Sequence, residues 1–225
     1  MGQPIQRIPT PPQDSQGRSA DRARLLERVA IGLAHEGKNP LHNMVLHLQL
    51  MAEKLASPEK VGGSPVEKHL SALRDGIGKV DGLLRSFGEF AAPEHLPPDL
   101  AAATRRAVQL FAYEARRASV QVAYKGPQAL LVRAPSTYLG DLVAHSLVAS
   151  IEFARDRGHV EAVLEARGLV ATLELRADGG LGSRDLAAPY VEAARRLAPE
   201  AECELSIETP TAGGARLSLT FLHPR

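Results

Sequence analysis

The chain has 225 residues, enough for one or two domains with a sizeable core. Its 27 basic and 26 acidic residues nearly cancel, which leaves no global field to favour DNA, RNA or an acidic membrane as the main partner. Cys203 is the only cysteine, so an internal disulfide and a cysteine-built zinc site are excluded. No apolar run reaches bilayer length and the N-terminus has no signal-peptide core, so the expected location is cytoplasmic.

Residues 1–19 are rich in proline and polar residues without periodicity and read as a disordered tail. Ser19 or Asp21 is placed to cap a helix running to about Ala56. Leu26, Val29 and Leu33, then Leu41, Met44, Leu48, Met51 and Leu55, step by three and four, the seam of a helix packed against helices. Between them the spacing passes through 33, 37 and 41, and Pro40 predicts a bend there. A turn at 57–65 leads to a second helix, in which Val66, Leu70, Leu73, Ile77, Val80, Leu84 and Phe87 keep a heptad seam. Gly76, Gly78 and Gly82 lower its intrinsic propensity, so packing must hold it. A hairpin with one apolar face buries too little alone, and two copies are expected to pair as a four-helix bundle, making the chain a homodimer. Residues 20–92 form this unit.

Prolines at 93, 97 and 98 mark a linker, residues 93–98, and the pattern changes beyond it. Over residues 99–225, Asp99 caps a predicted helix to Ala118, with short β-like runs at 120–124 and 130–133. Ser136 caps a helix to about Arg155. Strands follow at 159–165 and 170–176, then a helix over 184–197 and a closing hairpin at 202–208 and 215–222. Mixed helices and strands in this order predict an α/β two-layer sandwich. The arginine pairs Arg105-Arg106 and Arg116-Arg117 read as solvated helix faces able to meet an acidic partner.

The chemistry concentrates at His35-Glu36-x-x-Asn39-Pro40 in the first helix. His35 falls two residues beyond the apolar seam, on the solvent side. This stretch resembles the H-box of the two-component sensor histidine kinases, in their dimerisation and histidine-phosphotransfer hairpin. The resemblance implies that His35 is a phospho-acceptor, Glu36 the neighbouring acid/base that handles its ring proton, and Asn39 the polar residue one turn on. An imidazole is mostly neutral, and so nucleophilic, at pH 7.

The second half is similar in element order to the ATP-binding catalytic domain of that family, but its chemistry departs from it. Where the family has two asparagines four residues apart for Mg²⁺ and phosphates, this chain has His145 and Ala149, leaving Glu152 as the nearby carboxylate. Asp178-Gly179-Gly180-Leu181-Gly182 spells the family's adenine-reading turn. Yet the alternation through Leu173 and Leu175 places Ala177 inward and Asp178 on the opposite face. Gly182 passes within a few residues into the next helix, with neither a lid nor a second glycine motif. Glu152, Asp178, Gly180 and Gly182 are therefore only weak cofactor-binding candidates. No metal ligand set, no tightly bound cofactor and no use of ATP are expected, with Mg²⁺ carried by the receiver partner. The implied function is that of a kinase-derived histidine phosphotransferase, a degenerate kinase body relaying phosphoryl groups between His35 and the aspartates of response-regulator receiver domains. A partner histidine kinase is a further candidate partner. Two alternatives stay open: an ATP-dependent sensor kinase with an atypical site, and a non-catalytic dimer that modulates a kinase or response regulator.

Overall fold

The computed structural model describes residues 15–56, 64–93, 96–180, 182, 184–209 and 214–224. Helix α1 (Ser15–Ala56) and helix α2 (Ser64–Ala91) pack together as a hairpin. The first 14 residues of the expected tail and the turn at 57–63 lie outside the described residues. Helix α1 already exists at Ser15, so Ser19 and Asp21 are interior positions and not caps. It also continues through Pro40 without interruption.

The early start has a physical cause. The N-terminal half of α1 packs on the second half of the chain, where Leu25 and Val29 are completely buried in one core with Leu142, Leu147 and Tyr190. Burying two such side chains contributes roughly 1.5–3 kcal/mol each. Around them Arg22 pairs with Asp141, Asp21 with Arg196, and Arg28 with Glu152. Further along the hairpin the seam stays open in the single chain: Ile77 is 60 % and Leu84 56 % exposed, and Leu41, Leu48 and Leu55 are exposed with them.

Beyond the linker the expected single helix is two, α3 (Leu100–Leu110) and α4 (Ala112–Arg117). The chain breaks at Phe111, whose ring is buried in the core. Asp99 does cap α3, accepting from the Ala102 amide at 3.1 Å. The β-like run at 130–133 is not a strand; it makes one isolated bridge, between Leu131 and Asp99. Ser136 opens α5 (Ser136–Phe153) as its first residue, because Pro135 holds the cap position and the Ser136 hydroxyl donates to the Leu96 carbonyl at 2.6 Å.

Five strands, β1 (Gln121–Lys125), β2 (His159–Arg167), β3 (Val170–Asp178), β4 (Glu204–Glu208) and β5 (Ala215–Leu222), form one sheet in the order β1-β2-β3-β5-β4. β1 and β2 are parallel, joined by α5 as the crossover, and the other pairs are antiparallel. α5 and α6 (Arg184–Glu200) pack together, with Leu173, Leu175, Leu217 and Leu219 buried in the same core. Alternate strand positions carry an ion-pair ladder instead, running Lys125–Glu161–Arg176–Glu174–Arg216. The result is a helical region followed by an α/β two-layer sandwich.

Helix α5 is buried almost all round, and His145 within it is fully inaccessible. Neither of its ring nitrogens has a hydrogen-bond partner among the described residues, although the side chain borders a cavity of about 300 Å³ shared with Arg22, Tyr138 and Asp141. Burial pushes its pKa down to about 4. As pH falls below about 6.5 the unfolded chain binds a proton that the folded chain refuses, so stability is lost on acidification. For this one group the loss between pH 7 and pH 5 is about 2 kcal/mol. Urea titrations at the two pH values are expected to show that slope in the native sequence and to lack it in His145→Leu.

Candidate functional site

Helical spacing puts Arg28, Gly32, His35, Glu36 and Asn39 along one side of α1. His35 is solvent-exposed, yet one face of its ring lies on Tyr113 of α4, with centroids 4.4 Å apart and planes 5° from parallel. Glu36, half-buried, is ion-paired with Arg116, one turn further along α4. A pair as exposed as this contributes about 0–1 kcal/mol, so its consequence is geometric more than energetic. Asn39 is exposed, and Pro40 behind it is buried.

Two grooves flank this strip of helix. One, of about 440 Å³, is lined by Glu36, Asn39 and Asn43 of α1 and by Gly78, Lys79 and Gly82 of α2. Gly78 and Gly82 border open space there, where a β-carbon would meet nothing within 4 Å. The other, of about 560 Å³, is lined almost wholly by apolar side chains, among them Leu33, Leu41, Val45, Val80 and Leu84. Glu36, Asn39 and Pro40 thus line the first groove, of mixed polar and apolar character, and the second lies on the other flank of α1. Deeper in the hairpin His47 and His69 meet across the helices, Nδ1 to Nδ1 at 2.9 Å, and Lys54 lies 3.1 Å from the second nitrogen of His69.

The cofactor candidates of the second half are placed differently. Glu152 is 1 % exposed, and both its oxygens are occupied: Oε1 accepts from Arg28 at 3.1 Å and Oε2 from Arg155 at 2.6 and 2.8 Å. Gly180 and Gly182 lie directly on the C-terminal end of α5. A β-carbon would come within 2.3 Å of the Ala154 carbonyl oxygen at Gly180 and within 2.0 Å of that of Phe153 at Gly182. These glycines admit the chain to that close contact. Asp178 is exposed on the outer face, 3.8 Å from His159 on the neighbouring strand, while Ala177 points into the core. The backbones of these residues meet at the end of α5, while the side chains of Glu152 and Asp178 point to different partners, and Ala149 carries no side-chain oxygen for a hard cation. Among the described residues no three His, Cys, Asp or Glu side chains gather as a metal site, and no helix is long and apolar enough to cross a membrane.

Sequence reasoning misses Tyr113 and Arg116. The only signal for them is the Arg116-Arg117 pair, whose acidic partner turns out to lie in the same chain; Arg106 likewise pairs with Glu89.

By fold, then, the chain is a helical hairpin carrying an exposed histidine, attached to a mixed α/β sandwich. No family model matches the sequence, and no curated protein matches it. Among solved structures it is similar to the catalytic domain of histidine kinase ThkA, at 14 % identity and a TM-score of 0.48, covering 56 % of this chain and 96 % of that one. It is also similar to a bacterial phosphotransferase, at 16 % identity and a TM-score of 0.46 over 89 % of this chain and 96 % of that one. A third is histidine kinase ThkA in complex with response regulator TrrA, at 13 % identity and a TM-score of 0.46 over 93 % of this chain and 67 % of that one.

Proposed function

We propose that this chain is a phosphorelay protein of two-component signalling, a histidine phosphotransferase in which His35 exchanges phosphoryl groups with receiver-domain aspartates without using ATP. The observation that carries the reading is a contrast. The imidazole of His35 is open to a partner beside Glu36 and Asn39, while the carboxylate of Glu152 is sealed in two ion pairs. The acceptor is available, while both oxygens of Glu152 are taken by arginines.

In the transfer step a ring nitrogen of His35 attacks the phosphorus of a receiver aspartyl phosphate. The N–P bond forms, the O–P bond breaks, and its electron pair leaves with the receiver's carboxylate. Glu36 takes the proton from the other ring nitrogen, which general-base catalysis requires to lie within hydrogen-bond reach. The receiver supplies the Mg²⁺ that screens the phosphoryl charge. The mixed groove lined by Glu36 and Asn39 suits the docking receiver.

The apolar trough on the other flank suits a second copy of the chain. With Leu41, Leu48, Ile77 and Leu84 exposed, a bundle of two hairpins would bury them. Sedimentation is expected to give a two-chain particle, and Ile77→Glu a one-chain particle.

The functional reading is tested by incubating the chain with a ³²P-labelled phosphorylated receiver and, separately, with labelled ATP and Mg²⁺. Label from the receiver alone supports it. Label from ATP alone would restore the kinase reading, and label from neither would leave a non-catalytic modulator.

A further inference from the structure

Tyr113 and Arg116 both come from the sandwich half of the chain, and both touch the histidine motif. They are three residues apart and share one face of α4. That face meets two adjacent residues of α1, with Tyr113 on His35 and Arg116 on Glu36. Gly32 is buried and faces α4 at this point. A β-carbon there would lie 3.4 Å from the Leu110 carbonyl oxygen and 3.5 Å from Tyr113 Cβ. One turn earlier Arg28 reaches Glu114 at 3.5 Å, so successive turns of α1 hold α4 in register.

We propose that Tyr113 and Arg116 are positioning residues for phosphoryl transfer at His35, Tyr113 setting the plane of the imidazole and Arg116 holding the Glu36 carboxylate beside it. This rests on the phosphotransfer reading. The lone pair of an imidazole nitrogen lies in the ring plane, so a parallel stack covers one face and leaves the line of attack on phosphorus open. That is why His35 remains exposed although it is stacked. An unstacked exposed histidine would sample its rotamers freely, and each encounter with the receiver would have to arrest it. The stack removes that freedom beforehand, which is how orientation lowers a barrier. Arg116 takes Oε1 of Glu36, and the second oxygen is the one the proposal assigns to the ring proton. A domain without a working nucleotide site is thereby given a part in the reaction.

The test compares wild type with Tyr113→Phe, Tyr113→Ala and Arg116→Ala by NMR and by receiver-to-His35 transfer kinetics. Stacking predicts an upfield ring-current shift of the His35 carbon-bound protons in wild type and Tyr113→Phe, lost in Tyr113→Ala. In Tyr113→Ala kcat is expected to fall roughly 10- to 100-fold with KM for the receiver nearly unchanged, and Tyr113→Phe to restore it. Arg116→Ala should lower kcat and alter its pH profile without abolishing the ring-current shift. Wild-type transfer rates in Tyr113→Ala would overturn the proposal while leaving the phosphotransfer reading intact. Absence of the shift in wild type would overturn it at the level of the contact. Failure of His35 to accept phosphate at all would end both, and the shift, which needs no phosphate, tells that case from the others.

Discussion

Replacing His35 by glutamine is expected to abolish the label that the proposed transfer from a phosphorylated receiver would place on the chain. The amide nitrogen of glutamine has its lone pair delocalised into the carbonyl and cannot attack phosphorus, whereas its size and polarity suit the same exposed position on α1. The fold should therefore be unchanged, and circular dichroism with urea titration checks that it is. Glu36→Gln is expected to reduce the rate by roughly 100-fold and not to zero, the usual scale for losing general-base help. The nucleophile persists there, while the proton acceptor and the ion pair with Arg116 are lost. A gel assay of label on the chain over time separates the two variants. His42→Gln, one helical turn past Lys38 and outside the motif, should transfer as wild type.

Replacing Arg28 by methionine gives the largest expected loss of stability. Arg28 lies at the centre of a buried junction between α1 and the sandwich, bonded to Glu152 at 3.1 Å and close to Glu114 at 3.5 Å. Its guanidinium also stands over the Tyr190 ring, 4.8 Å from the centroid. The two carboxylates are 1 % and 5 % exposed, so removing the cation leaves charge in a medium that cannot solvate it. Breaking such a pair costs about 3–5 kcal/mol, and because Glu152 keeps Arg155 the lower end applies. Methionine preserves most of the aliphatic packing, so the loss reports on charge. Equilibrium urea unfolding should show a correspondingly lower midpoint. Arg28→Lys should fall between the two, since it keeps the charge but loses the planar group whose Nη1 reaches both carboxylates and which stacks over Tyr190.

Those two sites differ in how far the sequence reveals them. The motif His35-Glu36-Asn39 is local, its residues lying within little more than one turn, and helical periodicity alone turns His35 away from the seam. The alternation of β3 similarly separates Ala177 from Asp178. The junction at Arg28 is not local. Leu25, Val29 and Gly32 form a second stripe on α1, interleaved with the seam positions Leu26 and Leu33, and nothing in a single sequence tells which stripe meets which partner. The same holds for α4. No glycine or proline announces the break at Phe111, and the contacts of Tyr113 and Arg116 are made with residues about eighty positions away. His145 is legible as a polar residue within an apolar run but not as a fully buried ring, because α5 carries apolar residues on every side and gives no amphipathic cue.

The account stands on the acceptor role of His35 and on an ATP-independent source of its phosphate. The most direct measurement is fragment mass analysis of the full chain after mixing with a phosphorylated receiver in nucleotide-free buffer. An acid-labile phosphate on His35 is the predicted result. Phosphate on that residue only when ATP and Mg²⁺ are added, with the receiver left out, would contradict it.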